Sequence, residues 1–208
     1  MNIETSKYLG GVGALLIVIG FLGIFGTGWA GLLDLVGLIL VLTAMKGLAD
    51  TYKEQGIFNN ALYGIIAAII GVVAFVAAVV ATVLTAIATG FNLSDPSTWA
   101  QQFTDFSALW GVFGTAITGI FISLIVLFVF FIIAFMLIRK SLNLLASKSG
   151  VGMFATAGLL MLIGAVLTII IIGLILIWIG FILLTVAFFS IKAQATMPAS
   201  TTPQQPPT

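Results

Sequence analysis

Asp34 is the one ionisable residue that stands clearly inside an apolar run and away from its basic end. A carboxylate in such a place points by default to ion or proton handling. A relay would want partners, yet no second carboxylate lies near it in sequence, and what the later apolar runs offer is hydroxyls. Thr82, Thr85 and Thr89 close one run, and Thr115 and Thr118 open the next, so the five could line a polar crevice at one end of two consecutive helices. The same stretches also read as packing faces. Ala74, Ala78, Thr82, Ala86 and Gly90 recur every four residues, as do Gly111, Thr115, Gly119 and Ser123, and small residues at that spacing let helices approach closely in lipid. Asp34 has its own structural alternative, because it follows Trp29 by a few residues. There it could reach water or accept hydrogen bonds from the backbone at a helix start.

Other chemistry is excluded more firmly. Cysteine and histidine are both absent, which removes disulfides, thiolate and imidazole metal sites, cysteine nucleophiles and histidine acid/base catalysis. No phosphate-binding glycine loop, dinucleotide fingerprint, activated serine or paired intramembrane carboxylates can be found. The expectation is therefore a protein that is not an enzyme and holds no cofactor or metal. A net charge of +1 gives no basis for nucleic-acid binding. Asn92, Leu93 and Ser94 form an N-x-S sequon, which makes Asn92 a candidate for glycosylation, although it lies close to an apolar run.

These residues must be held by membrane-spanning elements. The chain is 62% hydrophobic and 6% charged, with a mean hydropathy of +1.32, too little polar surface to cover a water-soluble globule. Uncharged or nearly uncharged runs extend over Tyr8–Phe25, Leu32–Leu48, Ile57–Phe91, Phe106–Ile138 and Val151–Ile191. A span needs about 17–25 residues, so the last run must hold two helices, with a turn expected near Ile172 and Gly173. The third run exceeds what the roughly 30 Å hydrocarbon core requires and should tilt or project. After the fourth run, "RKSLNLLASKSG" suits a helix end lying in the interface. In the segment between the second and third runs, Gly56 is expected to end a helix and Asn59 or Asn60 to cap the next. In "GFNLSDPSTW", Ser94 or Asp95 can cap a short helix that begins at Pro96. The Phe128, Phe130, Phe131 and Phe135 cluster reads as lipid-facing or packing bulk. The fold class is all-α: a polytopic bundle of six transmembrane helices arranged as three hairpins over residues 1–192, followed by a Pro/Gln/Thr-rich tail, 193–208, that lacks periodicity and should be disordered.

With six spans every basic residue falls at one end: Lys7, Lys46, Lys53, Arg139, Lys140, Lys148 and Lys192. The positive-inside rule makes that end cytoplasmic, with both termini there and the Asn92 loop outside. Trp29, Trp99, Trp110 and Trp178 lie toward the outer ends, and Tyr8, Tyr52 and Tyr63 toward the inner ones. The expected location is a cell membrane. The expected partners are the lipid bilayer and either other membrane proteins or further copies of the chain.

The first and last hairpins match when slid by 143 or 144 positions: Leu15, Leu16, Ile19 and Gly20 onto Leu159, Leu160, Ile163 and Gly164, and Gly37, Ile39, Leu40 and Ala44 onto Gly180, Ile182, Leu183 and Ala187. This suggests parallel hairpin repeats. The stretches "KYLGGVGALLIVIGF", "GLILVLTAMKGLAD", "YKEQGIFNNALYGII" and "GVGMFATAGLLMLIGAVLTIIIIGL" resemble an uncharacterised family of archaeal and bacterial polytopic membrane proteins, a domain of unknown function, number 996. The resemblance covers nearly all of the chain before the tail. It implies a multi-pass membrane protein of archaeal type and transfers no substrate or catalytic residue. Two functional classes follow from the residues: a non-enzymatic membrane component that packs with partners or with itself, and a small-solute transporter or channel using Asp34 and the threonine-lined crevice.

Overall fold

In hydrocarbon every backbone polar group must be satisfied within the segment, so an apolar run of about 20 residues folds as a helix. A computed structural model describes residues 2–23, 30–90, 95, 97, 106–170 and 172–192. Among them are α1 (Ile3–Gly23), α2 (Ala30–Thr51), α3 (Gln55–Gly90), α4 (Phe106–Ser149), α5 (Met153–Leu167) and α6 (Ile172–Phe189), with a 3-10 turn at Thr168–Ile170. Six helical segments, α5 counted with that turn, are long and apolar enough to cross a membrane, and no strand occurs among the described residues.

Each helix packs on its neighbours in chain order, and α6 returns to α1, so the six close a ring. The contact within the α3–α4 hairpin is the most extensive and the one between α2 and α3 the slightest. Contacts tie the basic residues to one end. Lys7 Nζ donates to the Ile191 carbonyl at 3.0 Å, which satisfies an oxygen left open where α6 ends. Lys46 Nζ sits over the Phe58 ring, 4.9 Å from its centroid, and Lys148 pairs with Glu54 at 3.4 Å.

The main core lies toward this end. Leu48, Ile57, Leu142, Leu145, Phe154, Phe188 and Ile191 are fully buried there, and Phe154 meets Phe188 edge-on with centroids 5.1 Å apart. The end of α4 is helical, as expected. "RKSLNLLASKS" continues the helix, and Ser141, Leu142 and Leu145 share a face that the core covers. Ser141 Oγ donates across to the Ile57 carbonyl.

Two turns differ from expectation. Gly56 is the second residue of α3 and does not end a helix. It is Lys53, at φ 53°, that ends α2. Glu54 N–H donates to the Ala49 carbonyl at 2.9 Å and Lys53 N–H to that of Asp50 at 3.3 Å, the double bond of a Schellman motif with lysine in the position glycine usually takes. Asn60 donates its side-chain amide to the Gly56 carbonyl at 2.6 Å from inside the helix. The last turn comes earlier than expected, at Thr168–Ile170. Gly173 serves close approach instead: a Cβ there would collide with the Gly164 carbonyl oxygen.

The matched hairpins make corresponding contacts. A Cβ on Gly37 would stand 2.6 Å from the Gly13 carbonyl oxygen and 2.8 Å from Ile17. One on Gly180 would stand 3.4 Å from the Ala157 carbonyl oxygen and 2.6 Å from Met161. The same register relates both pairs, and Ala44 and Ala187 are equally buried.

The middle hairpin is different in kind. Helices α3 and α4 have 36 and 44 residues, about 54 and 66 Å at 1.5 Å per residue. Only 11% and 17% of their most apolar stretches are buried, against 33% to 39% in the other four helices.

Candidate functional site

The threonines come together. Thr82 and Thr85 from α3 and Thr115 and Thr118 from α4 line one open cleft of about 610 Å³, with Ala81, Gly114, Gly119 and Ile122. Antiparallel packing brings them level, and the tightest point is Gly119, where an added Cβ would collide with the Thr82 side chain. Thr115 Oγ1 donates to the Gly111 carbonyl at 2.9 Å, so part of the hydroxyl complement is turned onto its own helix. The side chain of Thr89 lies outside the described residues.

The small-residue stripes are used unequally. Ala74 and Ala78 are half-buried and Ala86 is buried on the α4-facing side of α3. On α4, Ser123 is buried and bonds the Gly119 carbonyl at 2.7 Å. Gly111, by contrast, has no described atom within 4 Å of where its Cβ would stand. The α3 residues level with Gly111, 89 and 90, have side chains outside the described residues. Closer to the basic end the seam continues through Gly71 against Phe130 and Gly64 against the Ala134 carbonyl. The phenylalanines pack there too, Phe131 against Phe135 at 4.9 Å.

Asp34 does not join the cleft. It sits on α2, is not among the cleft-lining residues, and its Oδ1 is buried without a hydrogen-bond donor among the described residues. Trp178 donates its indole N–H to the Val18 carbonyl at 3.1 Å and stacks on Phe21, locking α6 onto α1. Between α3 and α4, Asp95 accepts from Ser97 N–H at 3.0 Å and Ser97 Oγ at 2.6 Å. These bonds hold the Asp95 carboxyl below the usual carboxylate range and are the capping interaction assigned to it. Asn92, Trp29, Trp99, Pro96 and the tail lie outside the described residues.

A feature the sequence did not disclose lies at the basic end. Met136, Arg139, Lys140, Asn143 and Leu144 of α4 and Leu162 of α5 line a groove of about 430 Å³. No group of three or more Asp or Glu carboxylates suited to a metal ion converges among the described residues.

Comparison with known proteins places the chain by sequence. It is 28% identical over 192 residues to the uncharacterized protein MJ1644 of Methanocaldococcus jannaschii, an alignment covering 92% of this chain and 94% of that one. No solved structure matches it. The family model described as "Protein of unknown function (DUF996)" matches residues 33–194, and the chain belongs to that family.

Proposed function

We propose that this protein is a non-enzymatic component of a cell membrane that packs with partner membrane proteins or with copies of itself through the outer half of α3 and α4. The observation that carries this reading is the uncovered apolar surface of the long hairpin. Val73, Val76, Val80 and Leu84 on α3, and Phe113, Ile117, Phe121 and Ile125 on α4, are all exposed. The two helices, of 36 and 44 residues, are about 24 and 36 Å longer than a typical bilayer core requires. Lipid covers apolar surface only within its own thickness, so a hairpin of this length favours a protein neighbour beyond it. The orientation follows from the charges: with every lysine and arginine at one end, that end faces the cytoplasm, and the Asn92 sequon faces out.

Gentle detergent extraction from native membranes, followed by identification of co-purifying chains, tests the proposal. A stoichiometric partner or a defined oligomer supports it, and a solitary monomer contradicts it.

A second reading, passage of a small solute, is favoured by the convergence of Thr82, Thr85, Thr115 and Thr118 on one cleft. Solute flux through reconstituted protein that is lost in T82V/T118V, with assembly intact, would support this reading. Loss in Asp34→Asn would extend it to that carboxylate.

A further inference from the structure

The groove at the basic end is built where α4 crosses α5. Gly158 makes the crossing close: a Cβ there would stand 3.1 Å from Arg139 Cα and 3.3 Å from Leu142 Cβ, so the α4 backbone at Arg139 is pressed against α5. Arg139, Lys140 and Asn143 supply a guanidinium, an ammonium and an amide toward the basic end, where Leu144 adds one apolar side chain, while Met136, one turn away along α4, and Leu162 supply apolar walls farther from that end. The two cations are uncompensated. Among the described residues the one ion pair is Lys148 with Glu54, and the Asp50 carboxylate is engaged by the Gln55 amide at 2.9 Å.

Two adjacent like charges repel each other, and an anion between them relieves this. The apolar walls make the groove a poor fit for a small hydrated anion alone. We infer that it is a binding site for an anionic phospholipid of the surrounding leaflet, whose headgroup phosphate is held by Arg139, Lys140 and Asn143 and whose acyl chain follows Met136 and Leu162. Arginine grips a phosphate through two parallel N–H donors, and the neighbouring lysine adds point charge. The site does not depend on which compartment the basic end faces, so it stands or falls separately from the function proposed above.

The test is native mass spectrometry of the full chain in detergent, titrated with phosphatidylglycerol and with phosphatidylcholine of the same acyl chains. The wild type should prefer phosphatidylglycerol. R139Q/K140Q should weaken that binding about 30-fold, each basic residue near a headgroup contributing roughly fivefold. K53Q/K192Q, which removes the same charge elsewhere at the basic end, should change it less than about twofold, as its residues lie outside the groove. Asn143→Trp, which keeps both cations and fills the groove, should weaken binding as well, and it decides the matter alone if the double variant does not fold. Equal losses in the two double variants, no preference between the lipids, or unchanged affinity in Asn143→Trp would overturn the site. Displacement of phosphatidylglycerol by millimolar inorganic phosphate would reassign it to a soluble anion and overturn the lipid occupant.

Discussion

In the first and last hairpins the helices meet at a glycine seated on the opposing backbone or a single side chain, Gly37 on Gly13 and Ile17, Gly180 on Ala157 and Met161. Both hairpins then merge into the shared core toward the basic end. The middle hairpin holds itself together along a much longer seam, from the Ser141 to Ile57 bond through Gly64 and Gly71 to Gly119, and leaves most of its outer half uncovered. On the function proposed above, the difference separates scaffold from working surface. The short hairpins bury their small residues against one another, which fixes the ring. The long hairpin has more apolar surface than its own fold can use, and the threonine cleft lies on that surplus half.

A graded set of glycine substitutions would break this comparison most visibly. Gly37→Leu drives a side chain into the Gly13 backbone and should cost about 3 kcal/mol in thermal or steric-trap unfolding, as overpacking without room to relax does. Gly180→Leu meets mainly the flexible Met161 side chain and should cost about 1 kcal/mol. Gly111→Leu, on the uncovered half of α4, should change stability by less than about 0.5 kcal/mol. If Gly111→Leu were as damaging as Gly37→Leu, the long hairpin would be packed where the account leaves it open.

The seam at the basic end gives a second measure. Ser141→Ala removes the buried bond to the Ile57 carbonyl and should cost about 1 kcal/mol by unfolding. The turns at that end sharpen it further, because Gly150 at φ 72° and Lys53 at φ 53° occupy the same left-handed region. Gly150→Ala should lose about 1 kcal/mol and Lys53→Gly should gain about 0.5–1 kcal/mol, the two substitutions moving melting temperature in opposite directions. The smallest effect concerns Tyr52, in the turn between α2 and α3. Burial pushes its phenol above the ordinary value of 10.0. Its contribution to stability is then fully present below pH 10 and is lost as pH rises above that, and Tyr52→Phe should flatten this alkaline loss in melting curves.

The features the sequence made legible are those set by lipid. Apolar run length fixed the six spans, and charge placement marked the basic end. Five threonines on consecutive runs offered a crevice as one of two readings, and antiparallel pairing of α3 with α4 brings four of them level, the side chain of Thr89 lying outside the described residues. The sequence misled where a residue does a job that another type usually does. Lysine at position 53 takes the glycine place in a Schellman motif, so Gly56 looked like the helix stop. Gly173 looked like a turn and is a crossing point, while the real turn hides among isoleucines that carry no turn chemistry. The mixed residues after Ile138 read as a helix end, and the face of it formed by Ser141, Leu142 and Leu145 is buried by packing not predicted from the sequence pattern. The Arg139 groove was invisible because Leu162 comes from another helix and only tertiary packing brings it there.

The half of the long hairpin away from the basic end is proposed to meet protein. A photo-crosslinking residue placed in turn at Val76 and Ile117 on the long hairpin, and at Leu15 and Ile163 on the short ones, should be activated in native membranes and followed by protein gel and mass spectrometry. Discrete protein adducts, to another chain or to a second copy, are expected at Val76 and Ile117 and not at Leu15 or Ile163. Lipid adducts alone at all four positions would contradict the account.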